Sequence, residues 1–139
     1  MITLVLADDH AVIRAGIRAI LSKAPDLEII GEAENGDEVQ ELVAKLRPRI
    51  LLLDLKMPKV DGLEVLRVIK GDPQLKLIPV VVMTSSREEG DMLRSYELGV
   101  NAYVVKPMKF HELVDAVKQV GSFWAVINEP PPGSLQRAD

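Results

Sequence analysis

Residues 50–58 read Ile-Leu-Leu-Leu-Asp-Leu-Lys-Met-Pro. Four consecutive apolar residues stop at an acid, and a proline follows within a few positions. A strand covered on both faces has no solvent side to alternate with, so it is written as an unbroken apolar run, the habit of parallel sheets sandwiched between helices. Ile50 to Leu53 therefore predicts a central parallel strand. Asp54 marks the point where the chain leaves the core.

Outward from this run, Thr3 to Ala7, Leu27 to Ala33, Val80 to Met83 and Ala102 to Val105 have the same β-branched, apolar character. Thr3 to Ala7 and Val80 to Met83 are apolar almost throughout, whereas Leu27 to Ala33 alternates and is placed at an edge. Between the runs the period changes to that of a helix. Ile13, Ile17, Ile20 and Leu21 form one apolar face, Val39, Leu42, Val43 and Leu46 a second, and Leu63, Leu66 and Ile69 a third. Met92, Leu93 and Tyr96 make a weaker fourth, and Phe110, Leu113, Val114, Val117 and Val120 a clear fifth. Strand and helix alternate, so the predicted class is α/β: a doubly wound five-stranded parallel sheet with five flanking helices. The flavodoxin-like strand order 2-1-3-4-5 puts the second strand at an edge. Pro25, Pro48, Pro73 and Pro79 fall between the elements, where a missing N–H costs little.

The chain has 139 residues, the size of one domain, and 47% of them are hydrophobic. Its 17 Lys and Arg against 21 Asp and Glu give a net charge of −4, which opposes direct binding of nucleic acid. With no cysteine, disulfides, thiolate nucleophiles and Cys-based metal sites are excluded. His10 and His111 are the only histidines, too few for most transition-metal sites. No apolar run approaches the roughly 20 residues of a membrane span, and the first residues lack the basic start of a signal peptide, so a cytoplasmic location without membrane contact is expected. Residues 1–122 are assigned to the domain. Residues 123–139, with three consecutive prolines at 130–132, are assigned to a C-terminal tail whose end is expected to be disordered.

In an open parallel sheet, ligands sit outside the carboxyl ends of the strands, at the crevice where the strand order reverses. Asp8 and Asp9 follow the first strand there, Asp54 follows the third, Thr84 follows the fourth, and Lys106 with Pro107 follows the fifth. Singly, each has a plain reading as a helix cap, turn former or solvated loop residue. Jointly, four of five strands bring a carboxylate, hydroxyl or ammonium to one rim. Two carboxylates about 4 Å apart repel by roughly 4 kcal/mol at an effective dielectric near 20, so the pocket demands a cation. Oxygen donors suit a hard ion such as Mg²⁺, which commonly bridges to phosphate. Phosphoryl chemistry then assigns the parts: Asp54 as nucleophile, Lys106 as counter-charge and Thr84 as hydroxyl donor.

These residues also carry a resemblance. Leu6-Ala7-Asp8-Asp9-His10, Leu53-Asp54-Leu55-Lys56-Met57-Pro58-Lys59-Val60-Asp61-Gly62, Val82-Met83-Thr84-Ser85 and Val105-Lys106-Pro107 resemble the motifs of the two-component response regulator receiver domain, over roughly residues 1–122. The resemblance implies Asp54 as phosphoacceptor from a sensor histidine kinase. It implies Mg²⁺ held by Asp9, Asp54 and the backbone carbonyl of Lys56, with Asp8 acting through water. It further implies a cis Lys106-Pro107 bond, a switch pair of Thr84 and Tyr103, and an output face formed by the fourth helix, fifth strand and fifth helix, roughly residues 87–121. Lys56, Ser85 and Ser86 sit where receivers tune the lifetime of the phosphoryl group.

The two ends resemble different subfamilies. Ala7 to Gly16 is similar to receivers joined to a helix-turn-helix domain, whereas Ser122 to Pro131 is similar to stand-alone regulators serving phytochrome-type kinases, and one reading of the difference is a junction near residues 70–80, natural or engineered. Phe123-Trp124 reads either as a cap on the fifth helix or as an anchor for a homodimer or another partner. The alternatives from other classes are a phosphorylation-independent interaction module, a small Mg²⁺-dependent phosphatase, and a flavin carrier. Lys56 stands where a phosphatase of this kind needs a second acid, and the carboxylates of the first turn would repel a flavin phosphate.

Overall fold

The computed structural model describes residues 2–24, 26–107 and 109–123. Its elements run β1 (Ile2–Ala7), α1 (Ala11–Leu21), β2 (Leu27–Ala33), α2 (Gly36–Leu46), β3 (Ile50–Leu53), α3 (Gly62–Gly71), β4 (Val80–Thr84), α4 (Glu89–Glu97), β5 (Ala102–Val105) and α5 (Phe110–Ser122). The strands form one parallel sheet in the order β2-β1-β3-β4-β5. The decisive run Ile50–Leu53 lies at its centre with all four residues buried. Successive side chains of a strand point to opposite faces, so its alternate residues feed two cores. Leu51 and Leu53 join Val5, Val80, Val82 and the inner faces of α2 and α3. Ile50 and Leu52 join Leu4, Leu6, Val81 and Met83 under α1 and α5.

Side-chain caps start α2 and α3: Asn35 accepts from the Glu38 N–H and Asp61 from the Glu64 N–H, removing donors that a helix start otherwise leaves unpaired. The start of α3 also presses on the exit of β3. A Cβ on Gly62 would lie 2.5 Å from both the Asp54 carbonyl oxygen and the Leu55 Cα, so no side chain fits. Gly62→Ala is expected to destabilise the fold by about 1–3 kcal/mol, the range for forced overpacking, and to displace Asp54; urea unfolding measures the first effect.

The fourth helix departs from its expected packing. Met92, Leu93 and Tyr96, read as its core face, are 36, 62 and 54% exposed, and its buried residue is Ser95. Apolar residues on a surface are ordinary, so their helical spacing alone does not bury them. β4 is one residue longer than expected and takes in Thr84. Among the described residues, no helix is long and apolar enough to cross a membrane. Pro25, Trp124 and the tail from 124 to 139 lie outside the described residues, as do the expectations placed on them.

Candidate functional site

The sheet itself carries the site residues. The backbone N–H of Asp8 donates to the Ala33 carbonyl, that of Asp54 to Ala7, and that of Lys106 to Thr84, at 3.0, 2.9 and 2.7 Å. Each residue is therefore the last one still held in the parallel hydrogen-bond ladder, and its side chain emerges at the common rim. The Arg14 guanidinium adds a bond to the Asp8 carbonyl at 2.7 Å.

At that rim the Lys106 ammonium is hydrogen-bonded to Asp8 Oδ2 and lies 3.5 Å from Asp54 Oδ2. All three are sequestered, with side-chain exposures of 11% for Lys106, 2% for Asp8 and 4% for Asp54. Asp8 Oδ1 accepts from the His10 N–H at 2.8 Å, and Asp54 Oδ1 from the Lys56 N–H at 3.4 Å. Thr84 is fully buried beside them. Burial pushes the Asp54 carboxyl above its ordinary value; Lys106 opposes this, Asp8 adds to it, and hydrogen bonds from the Lys56 N–H and the Thr84 hydroxyl oppose it further.

One ligand atom each from Asp8, Asp9, His10 and Asp54 lies within 4.8 Å of the others. Among the described residues, three carboxylates face one partly buried lysine, an imbalance that favours a cation. Asp9 Oδ1 is buried without a hydrogen-bond partner among the described residues, and the His10 Nδ1 at 3.2 Å makes no bond to it. A lone pair left so is costly in a dry pocket and is what a hard cation would take up. The donor set fits a divalent metal. His10, 67% exposed, was not among the expected site residues; its place directly after the two aspartates is the signal that could have found it.

Of the expected residues, Asp8, Asp9, Asp54, Thr84, Lys106 and the Lys56 backbone converge here. Tyr103 stands apart: its hydroxyl donates to the Ser86 carbonyl at 3.2 Å, while the Ser86 N–H donates to Thr84 Oγ1 at 3.2 Å. The expected switch pair thus meets through Ser86. The expected cis Lys106-Pro107 bond is corrected, because no peptide bond among the described residues is cis. The trans form is the intrinsically favoured one even before proline, and with it Lys106 already reaches both acids.

A family model described as the response regulator receiver domain matches residues 4–118. The chain belongs to the response regulator receiver family. Receivers are signalling domains of two-component systems. This receiver is 35% identical over 127 residues to the nitrate/nitrite response regulator protein NarL of Escherichia coli K12, covering 91% of the chain and 58% of NarL. It is 51% identical over 78 residues to the response regulator Rcp1 of Synechocystis sp. PCC 6803, covering 56% of the chain and 53% of that protein. The receiver spans about half the length of these curated relatives. Among solved structures it superposes on the Mn²⁺-bound form of Rcp1 with a TM-score of 0.88 at 34% identity, covering 94% of this chain and 99% of that one. It superposes on the phosphorylated cyanobacterial phytochrome response regulator RcpA with a TM-score of 0.87 at 34% identity, covering 94 and 98%.

Proposed function

We propose that this receiver accepts a phosphoryl group on Asp54 from the phosphohistidine of a sensor histidine kinase, and later loses it to water. The observation that carries the reading is a buried carboxylate at the exit of the central strand, facing a lysine, a threonine hydroxyl and an acid with an unpartnered oxygen. In the transfer an Asp54 oxygen attacks phosphorus and an acyl phosphate bond forms. The phosphorus–nitrogen bond breaks, its electron pair returning to the imidazole. The Lys106 ammonium and the Thr84 hydroxyl are aimed where negative charge gathers on the phosphoryl oxygens. Asp9, Asp54 and the Lys56 carbonyl would hold Mg²⁺, with Asp8 acting through water. Bound there, the ion would neutralise phosphoryl charge that the surrounding acids otherwise repel. In this reading the receiver is a signalling component that catalyses its own phosphoryl transfer and slow autodephosphorylation.

The likeness to RcpA favours a phytochrome-type kinase. The exposed Met92, Leu93 and Tyr96 support α4, β5 and α5 as the output face, and sedimentation with and without a phosphodonor tests self-association through it. Rcp1 is 51% identical over 78 residues but 34% identical when 94% of the chain is aligned, so that likeness is concentrated in one stretch. The concentration favours a junction between two receiver lineages; alignment of each half separately against relatives tests it, and a single lineage for both halves would remove it.

Intact mass after incubation with acetyl phosphate and Mg²⁺ tests the main reading. One Mg²⁺-dependent phosphoryl adduct is expected. Its absence in folded, cation-binding protein would leave a phosphorylation-independent interaction module. The cation site has its own check: Mg²⁺ at 100 times its dissociation constant is expected to stabilise the wild type by about 2.7 kcal/mol. Asp9→Asn should lose most of that gain in a thermal melt, and an equal gain would place the ion elsewhere.

A further inference from the structure

The phosphorylation pocket has a polar bridge to α4. Lys56, two residues past the acceptor, uses its two ends differently: its backbone N–H donates to Asp54 Oδ1, and its ammonium lies 3.2 Å from Asp91 Oδ2 in the first turn of α4. The same Asp91 oxygen accepts from the Ser86 hydroxyl at 2.6 Å, and Ser86 in turn contacts Thr84 through its N–H and Tyr103 through its carbonyl. The Asp91 side chain is only 14% exposed, while that of Lys56 is 59% exposed. One carboxylate thus gathers a cation from the β3–α3 loop and a hydroxyl from the β4–α4 loop.

The bridge matters because, among the described residues, little apolar burial fastens α4. Its N-cap Glu88 makes no side-chain cap, its buried residue is Ser95, and Met92, Leu93 and Tyr96 face outward. A helix with so little apolar burial draws a large share of its fixation from polar contacts. The Lys56 ammonium, meanwhile, stands beside the residue on which a phosphoryl group would bring about −1.5 to −2 charges.

We propose that Asp91 is the residue that tethers α4 to the phosphorylation pocket through Lys56, and that phosphorylation of Asp54 frees α4 by drawing the Lys56 ammonium from Asp91 to the phosphoryl group. The release step rests on Asp54 being the phosphoacceptor; the tether does not. Asp91 is a positioning residue, because it touches neither the acceptor nor the phosphoryl group. Asp91→Asn keeps an acceptor for Ser86 and removes the charge that competes for Lys56.

The test is hydrogen–deuterium exchange of peptides covering residues 89–97 in the full chain with Mg²⁺, with and without acetyl phosphate, the adduct being followed by intact mass. Without acetyl phosphate, Asp91→Asn is expected to exchange about two- to fivefold faster in α4 than the wild type, the range of a partly exposed ion pair. Lys56→Gln is expected to do the same, and the double variant no more than either alone, since both changes break one contact. Acetyl phosphate is expected to raise α4 exchange in the wild type and to add little in Asp91→Asn, although Asp91→Asn still takes the adduct. Unchanged exchange in Asp91→Asn, or additive effects in the double variant, would overturn the tether. An adduct on the wild type without faster α4 exchange would overturn the release. A wild type that takes no adduct would overturn the phosphoacceptor reading and the release together, while the samples without acetyl phosphate still decide the tether.

Discussion

Asp54→Asn is expected to take no phosphoryl adduct from acetyl phosphate, while the wild type takes one. Asn keeps the size of the side chain but has no carboxylate oxygen to form an acyl phosphate. A retained stoichiometric adduct would move the acceptor to Asp8 or Asp9 and sink the assignment. The same substitution carries a stability prediction of definite sign. Asp54 has a folded pKa raised above its ordinary value by burial. An acid shifted upward favours folding fully only below the unfolded value near 3.9, and that contribution is lost as pH rises through the folded value. At pH 7, free of divalent cation, the wild type therefore bears a penalty that the Asn variant lacks. The variant should melt higher there, by about 4 °C for each kcal/mol of penalty removed, and the gap should close toward pH 4. Mg²⁺ should narrow the gap from the other side, because it binds the carboxylate form. A variant that melts lower than the wild type at pH 7 without cation would mean that the ionised carboxylate is a net stabiliser in this pocket.

The central part of the fold was legible because burial on both faces leaves a plain mark. Ile50–Leu53 and Val80–Met83 could be read as inner strands since no polar residue interrupts them, and the alternation of Leu27–Ala33 placed it at an edge. The rim acids were legible for a related reason, as the topology decides which strand ends share a crevice before any side chain is placed. The fourth helix was not legible. A pattern of Met92, Leu93 and Tyr96 is identical on paper whether it faces a core or a partner, and only the packing shows Ser95 turned inward instead. Asp91 was missed for the same reason: its sequence position is that of an ordinary acid in a first turn, and its link to Lys56 spans two connections in space. The trans Lys106-Pro107 bond shows the limit of motif transfer. Val105-Lys106-Pro107 identifies the lysine that faces the acids but does not dictate the peptide geometry that delivers it.

Lys106→Met should be the most damaging single change outside the hydrophobic core. The ammonium is the one cation hydrogen-bonded to the buried Asp8 carboxylate, among the described residues, and it also opposes the upward shift of Asp54. Taking one partner from a buried ion pair leaves an uncompensated charge, and such changes cost about 3–5 kcal/mol. Met preserves most of the stem's length and apolar packing, so the loss should report mainly on charge. Without Lys106 the upward push on Asp54 loses its largest counterweight, so the deficit should be largest near neutral pH and shrink as the pH falls and the carboxylates protonate. Mg²⁺ should also shrink it, because a divalent ion answers the same excess of negative charge. Labelling by acetyl phosphate should remain slow even where stability recovers, by a factor of about 100 to 1,000 if Lys106 offsets charge on the transferring group. Thermal melts of wild type and variant at pH 5 and pH 7.5, with and without Mg²⁺, separate these contributions. A deficit equal in all four conditions would assign Lys106 a packing role at the strand end and leave the phosphoryl group without its proposed counter-charge.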